Sequence, residues 1–267
     1  MTDDSEALAR LAVFAGVFTL VALAEAAWPL RDDVQRARRW MCHAGLSVLN
    51  TGLVRVLALG LPVLPVAVAT QFAGGGIFGL VGLDGVAAAV AGFVILDLAI
   101  YLQHVAFHHV PLFWRAHRVH HADTGFDLTT GIRFHPLEIV VSLAWKLAVV
   151  IAFGIPALAV LVFEIVLNAG SLFSHANLAL PRRVERVLRL AIVTPDMHRV
   201  HHSVVPAETN SNFGFNLSLW DRLFGTYRAQ SAVDSAVMPI GLEAYRTDAT
   251  SSPAWVLGLP FRRETVP

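Results

Sequence analysis

"DLAIYLQHVAFHHVPLFWRAHRVHHAD", residues 97–123, opens as apolar sequence fit for a bilayer and closes in a run of imidazoles. It contains the pentapeptide HRVHH at His117–His121, and the same five letters return at His198–His202. The flanks of the two copies differ, so a tandem domain does not explain the repeat. At this composition HxxHH arises by chance about 0.02 times per chain, and here it occurs twice. Eleven of the twelve histidines lie between 104 and 202. His43 stands apart beside a helix start, where an interfacial position is expected.

The spacing carries chemistry. His104 and His108 are one helical turn apart, and His117, His120 and His121 share a helix face, as do His198, His201 and His202. Two stripes lead into these clusters. Asp97, Tyr101, His104 and His108 step by four, three and four, and Glu164, Asn168, Ser171 and His175 repeat those steps. Each stripe starts with a carboxylate inside an apolar segment and ends in histidine. A carboxylate there needs a buried partner, and orienting a metal-bound imidazole is the expected role for Asp97 and Glu164. A polar seam that fixes helix packing is the alternative.

The rest of the chain is built for a membrane. Of 267 residues, 55% are hydrophobic and 15% charged, with a mean hydropathy of +0.59. Leu8–Leu30, Ala44–Ala69 and Val86–Ala106 form long apolar blocks, and Ile139–Phe173 is a double-length block divided at Gly154-Ile155-Pro156. The last reads as two tight spans or as a re-entrant hairpin at about 138–175. The acidic start, MTDDSEALAR, does not suit a cleaved signal peptide. Four arginines in 31–39, none in 71–86, and Arg182, Arg183, Arg186 and Arg189 after the last block predict five crossings. They place the N-terminus outside, with the histidine regions and the C-terminus in the cytoplasm. Lys146, the one cation of the fourth span, is expected to snorkel. Zero net charge gives no case for nucleic acid, and the single Cys42, expected to pack as a small apolar residue, excludes an internal disulfide.

The fold predicted is all-α, a multi-span transmembrane helical protein with a histidine-rich dinuclear metal site. Residues 1–94 would anchor, 95–230 would carry the chemistry, and 231–267 would be a cytosolic tail loosening toward its end. Nine imidazoles suit two sites better than one. The two HRVHH copies would supply each metal jointly or one metal each. Arg118 and Arg199, the shared second residues, are expected to face solvent, headgroups or a carboxylate. Iron suits an oxygenase, and imidazole also binds zinc.

Together with "TTGIRFHPLE", "SHANL", "TPDMHRVHHS" and "NFGFNLSLWDRLFGTY", the opening stretch resembles the fatty acid hydroxylase superfamily, the sterol desaturase-like membrane di-iron oxygenases. The resemblance runs from about Asp97 to Tyr227 and implies a cytosolic helical cap that holds the metal site. It implies two iron ions held by His104, His108, His117, His120, His121, His175, His198, His201 and His202. It implies O2 as cosubstrate, a fatty acyl, sterol or carotenoid type of lipid from the bilayer, and hydroxylation or desaturation of its C–H bond. His109 falls at a variable position. Ser171 stands where some members carry a further histidine. His135 and Glu138 are expected behind the ligands or as helix-capping groups, with His135 open as a tenth ligand. No dinucleotide fingerprint and no cysteine set for an iron–sulfur cluster is present, so electrons would come from an external donor such as a ferredoxin or a cytochrome with its reductase. Trp220, Phe224 and Tyr227 suit a membrane interface. The reading from a different class is a divalent-metal transporter or a metal-storage membrane protein, which would place its ligands near the bilayer midplane.

Overall fold

The computed structural model describes residues 3–32, 35–58 and 63–263. Among these the chain is helical throughout, and its only β features are isolated bridges such as Pro29 with Leu178 and Ile192 with Leu217. Four helices are long and apolar enough to cross a membrane: α1 (Asp3–Ala27, apolar from Leu8), α5 (Gly85–His109), α7 (Pro136–Phe153) and α8 (Ala157–Ser174). The chain is an integral membrane protein. At 1.5 Å per residue α5 rises about 37 Å, while α7 and α8 rise about 27 Å each.

Among the described residues these four stand against the five crossings expected, and the remaining block runs across residues that are not described. The block 44–69 is shared between α2 (Arg36–Ala58) and α3 (Val63–Phe72), with residues 59–62 outside those described. Neither is among the four long apolar helices, because α2 carries Arg36, Arg38, Arg39 and Arg55.

Chain breaks are written with glycine and proline. Gly154 ends α7 in the left-handed region at φ 68°, and Pro156 then caps the start of α8, so the double-length block folds as a helical hairpin. α4 (Gly76–Leu80) begins on Gly76, where a Cβ would overlap the backbone of Gly154. Val110 is extended ahead of Pro111, which ends α5 and starts α6 (Pro111–His121) after a single residue. After α9 (Arg182–Leu188), Pro195 starts α10 (Pro195–His201) in the same way, with the Thr194 hydroxyl accepting from the Met197 N–H. Both HRVHH copies therefore ride short helices opened by proline.

The apolar core lies between α5, α7 and α8 around Leu96, Ile100, Val150, Ile155 and Phe163. α1 packs on α8 through Val21 and Leu172, while Leu11, Leu20 and Leu23 remain exposed, as suits a face turned to lipid. Glu25 is buried at the end of α1, where one oxygen accepts from the backbone N–H of Leu128 and of Asn177, both at 2.7 Å. It thus ties the anchor to the ends of the segments that carry the histidines.

Several polar residues sit elsewhere than expected. His43 is not interfacial: it is fully buried against Thr129 and Arg133. Lys146 does not snorkel, because it pairs with Glu164, which also accepts from Arg10 at 2.7 Å. Trp220 is buried and donates its indole N–H to Asp97. Arg118 and Arg199 do not face solvent. Arg118 donates to the carbonyls of Leu259 and Arg262, and Arg199 to Asp196 and the Ala176 carbonyl. The segment after 231 is bound to the histidine region through Arg118 and through Arg133, which donates to the Thr250 carbonyl at 2.7 Å. Val256 and Leu259 are buried there with Cys42 and Val119. Residues 264–267, the expected loose end, lie outside those described.

Candidate metal centre

The corner at Val110–Pro111 folds α6 back beside the end of α5, so His104 and His108 meet His117 and His121. α10 approaches from the other side, and His175 caps α8 between them. The nine imidazoles resolve into two groups. His104, His108, His117, His121 and His201 have ligand nitrogens within 4.8 Å of one another, and so do His120, His175, His198 and His202. The groups touch: the His121 and His202 rings stack at 4.5 Å.

The two pentapeptides are shared crosswise. The first copy gives His117 and His121 to the five-histidine group and His120 to the other. The second copy gives His198 and His202 to the four-histidine group and His201 to the five. Helix geometry explains the split. At about 100° per residue, i and i+4 point within about 40° of each other, whereas i+3 diverges by about 60° to the other side of i. One pentapeptide thus aims in two directions, and two facing copies close both groups.

The atoms left over fit metal ions. His104 donates from Nδ1 to the Phe213 carbonyl at 2.8 Å, His117 to Glu138 Oε1 at 2.8 Å, His201 to the Ser211 carbonyl at 2.7 Å and His175 to the Ser171 carbonyl at 2.7 Å. Each bond fixes the tautomer and turns the Nε2 lone pair inward. Among the described residues the buried Nε2 atoms of His104, His108, His117, His121, His201 and His202 have no hydrogen-bond partner. In the four-histidine group His175 Nε2 faces His120 Nε2 at 3.1 Å and His198 Nε2 at 2.9 Å. A single shared proton cannot satisfy three such nitrogens, and a cation satisfies all of them. Burial, reinforced by neighbouring imidazoles, pushes the pKa values of His120, His121, His198 and His202 well below the usual histidine range. Burial likewise lowers His175 to about 4 and His201 to about 3. Burial thus favours the neutral imidazole, the form that binds metal.

The residues expected behind the ligands divide. Glu138 does orient an imidazole, that of His117. His135 caps α7, its Nδ1 accepting from the Leu137 N–H at 3.1 Å and its Nε2 facing the Leu257 carbonyl at 3.3 Å. It joins neither group. Asp97 and Glu164 orient no histidine among the described residues. Asp97 accepts from Asn216 and Trp220, both at 2.8 Å, and from the Leu217 N–H at 3.2 Å, so it fastens a loop to α5. Glu164 is taken up by two cations. Tyr101 meets the Thr226 hydroxyl at 2.9 Å, and Asn168 donates to the Glu164 carbonyl. Ser171 hydrogen-bonds the Gly131 carbonyl through its side chain and serves His175 through its backbone. His109 bonds the Val105 carbonyl and stands outside both groups.

Sequence reasoning missed three contributors. The first is the loop 210–213, whose two carbonyls and one side-chain oxygen receive imidazoles. The second is a buried ion cluster. Arg39 grips Asp123 with two nitrogens at 2.8 Å and Asp127 with a third at 2.7 Å, fastening α2 to the turn after α6. Burial opposes ionisation of Asp123, but the Arg39 guanidinium overrides it and holds this carboxyl far below the usual range. The third is an aromatic wall. Phe134 stacks on His120 at 4.8 Å, Phe126 packs against His175 and His202, and Phe213 and Phe215 lie against His104.

A family model described as fatty acid hydroxylase matches residues 89–226, just over half of the chain. The chain belongs to the fatty acid hydroxylase family. The matched region contains all nine grouped histidines and Glu138, and it ends at Thr226. Among curated relatives, the ornithine lipid hydroxylase OlsE of Rhizobium tropici is 33% identical over 138 residues, covering 52% of this chain and 41% of that protein. Alkylglycerol monooxygenase of Xenopus tropicalis is 31% identical over 140 residues, 51% of this chain and 29% of that one. The human alkylglycerol monooxygenase is 28% identical over 141 residues, 53% and 31% respectively. This chain therefore spans less than half the length of these relatives. No solved structure matches it.

Proposed function

We propose that the chain is a membrane-bound non-haem di-iron oxygenase that hydroxylates an unactivated C–H bond of a lipid. The observation that carries this reading is the pair of adjacent buried histidine groups with their Nε2 atoms turned inward. His104, His108, His117, His121 and His201 would hold one metal, and His120, His175, His198 and His202 the other. Bound iron would supply O2 activation, with the balance R–H + O2 + two electrons + two protons giving R–OH + H2O. The chain's own residues do the rest. Glu138 and the carbonyls of Phe213, Ser211 and Ser171 keep four imidazoles in one tautomer. The phenylalanine wall surrounds the imidazoles with apolar surface.

The names of the relatives, a lipid hydroxylase and monooxygenases, support a lipid substrate and an oxygen-inserting reaction. Desaturation starts with the same hydrogen abstraction and is the second outcome to be tested. In this reading residues 1–94 anchor the chain, 95–230 carry the chemistry, and the segment from 231 closes over α6. The arginine distribution supports a cytoplasmic position for the histidine region, where a ferredoxin or cytochrome could deliver electrons. A transporter or storage role finds no support, because the histidines gather in one closed cluster at helix ends. The deciding experiment extracts lipids from cells that express the chain or its His120→Ala variant. A product heavier by 16 mass units marks hydroxylation and one lighter by 2 marks desaturation. No difference between the two lipid pools would reject the proposal.

A further inference from the structure

We infer that the two histidine groups bind metal with unequal strength, the five-histidine group tightly and the four-histidine group as the exchangeable one. This rests on the two-metal reading above and goes beyond it. The ground is how the rings are held from behind. In the five-histidine group four rings have Nδ1 engaged: His104 with the Phe213 carbonyl, His201 with the Ser211 carbonyl, His117 with Glu138, and His108 with Asn210 Oδ1 at 3.3 Å. In the four-histidine group only His175 has such an acceptor. No described residue reaches the buried Nδ1 of His120, His198 or His202. Phe134 and Phe126 pack against these rings, which sets their place but not their tautomer. Losing one hydrogen bond behind a ligand typically costs 10–100-fold in metal affinity.

Three of the four acceptors come from one short stretch, Asn210 to Phe213, and that stretch is itself fastened. Asp221 accepts from the Phe213 N–H at 2.7 Å and the Gly214 N–H at 2.8 Å, and the Thr226 hydroxyl donates to it at 2.7 Å. Asn212 adopts φ 52°, a conformation asparagine tolerates better than most residues. Its amide donates to the carbonyls of Met197 and Arg228, both at 2.9 Å, and its oxygen accepts from the Arg228 N–H at 2.8 Å. Asp221 and Asn212 are thus positioning residues: they reach the five-histidine group through backbone carbonyls. Among the described residues the other group has one such acceptor, the Ser171 carbonyl behind His175.

The test uses the full chain in detergent, loaded with cobalt(II) and titrated with a chelator, with d–d absorption and metal per chain read together. Wild type should release its two ions in separate steps, the second at ~10-fold higher chelator or more. Asn210→Ala, at an exposed position, should weaken the tight step by ~10-fold and leave the other step unmoved. Asn210→Asp keeps an acceptor oxygen and should restore it. Asp221→Asn should move the same step, and His202→Ala should remove the weak step alone. Release of both ions in one step, or an Asn210→Ala effect confined to the weak step, overturns the inference. Fewer than two ions per loaded chain would instead count against the two-metal reading itself.

Discussion

The chain holds two kinds of buried histidine, and setting them side by side separates structure from chemistry. His43 and His135 are both buried, and His43 is as inaccessible as any of the nine grouped rings. The difference lies in their second nitrogen. His43 uses Nδ1 on the Thr129 hydroxyl at 2.8 Å and Nε2 against Arg133 at 3.0 Å. His135 accepts with Nδ1 and faces a carbonyl with Nε2. Neither keeps a free lone pair. The grouped histidines spend at most Nδ1 on the protein scaffold and turn Nε2 toward one another. Burial is common to both kinds, so it identifies no ligand. An unspent nitrogen does.

That contrast can be broken by substitution, and the largest effects should fall on the grouped rings. His120→Ala and His201→Ala each take one ligand from a different group, and each should abolish turnover and lower metal content. Elemental analysis beside a product assay checks this, and full activity in either variant would defeat the assignment. Glu138→Ala removes the acceptor behind His117 and should weaken metal binding ~10–100-fold, while Glu138→Gln, which retains an oxygen, should do less harm. A competition titration against a chelator of known affinity reads the difference.

His43 should show the opposite pattern. Burial, with the cations Arg133 and Arg39 adding to it, lowers its pKa to about 3, although Asp123 pulls the other way. An unfolded chain takes up this proton near pH 6.5, whereas the folded chain refuses it until about pH 3. The unfolded state therefore binds more protons inside that window, and folded stability falls as pH drops through it. In metal-free protein His43→Gln should flatten the dependence by up to about 1.4 kcal/mol per pH unit, with metal capacity unchanged. Unfolding midpoints measured between pH 4 and 7 would show it. The smallest effect belongs to His135→Ala, which removes a helix cap worth about 1 kcal/mol and should leave metal content and turnover alone. A loss of metal in that variant would move His135 into the other class.

Much of this was legible in the sequence because helical periodicity is local. Spacings of three and four residues put imidazoles on one face wherever the helix goes, so the clusters, the membrane-crossing blocks and the cap on α7 follow from near neighbours. What spacing does not encode is the far partner. Asp97 and Glu164 head stripes with identical steps, yet one fastens the loop around Asn216 and Trp220, and the other is shared by Arg10 and Lys146. A stripe names a face and leaves its neighbour open. The same limit hid Arg118, whose guanidinium is satisfied by carbonyls more than a hundred residues away in a segment with little pattern of its own.

The crosswise sharing of HRVHH also bears on how the protein is made. A ribosome delivers the chain from one end, and by residue 175 it has supplied four of the five histidines of one group but only two of the four of the other. The five-histidine group closes only with His201 and the four-histidine group only with His202. A nascent chain stopped before the second pentapeptide has no finished site. The second pentapeptide is thus the closing piece of both groups at once, and synthesis yields a centre that is whole or none at all.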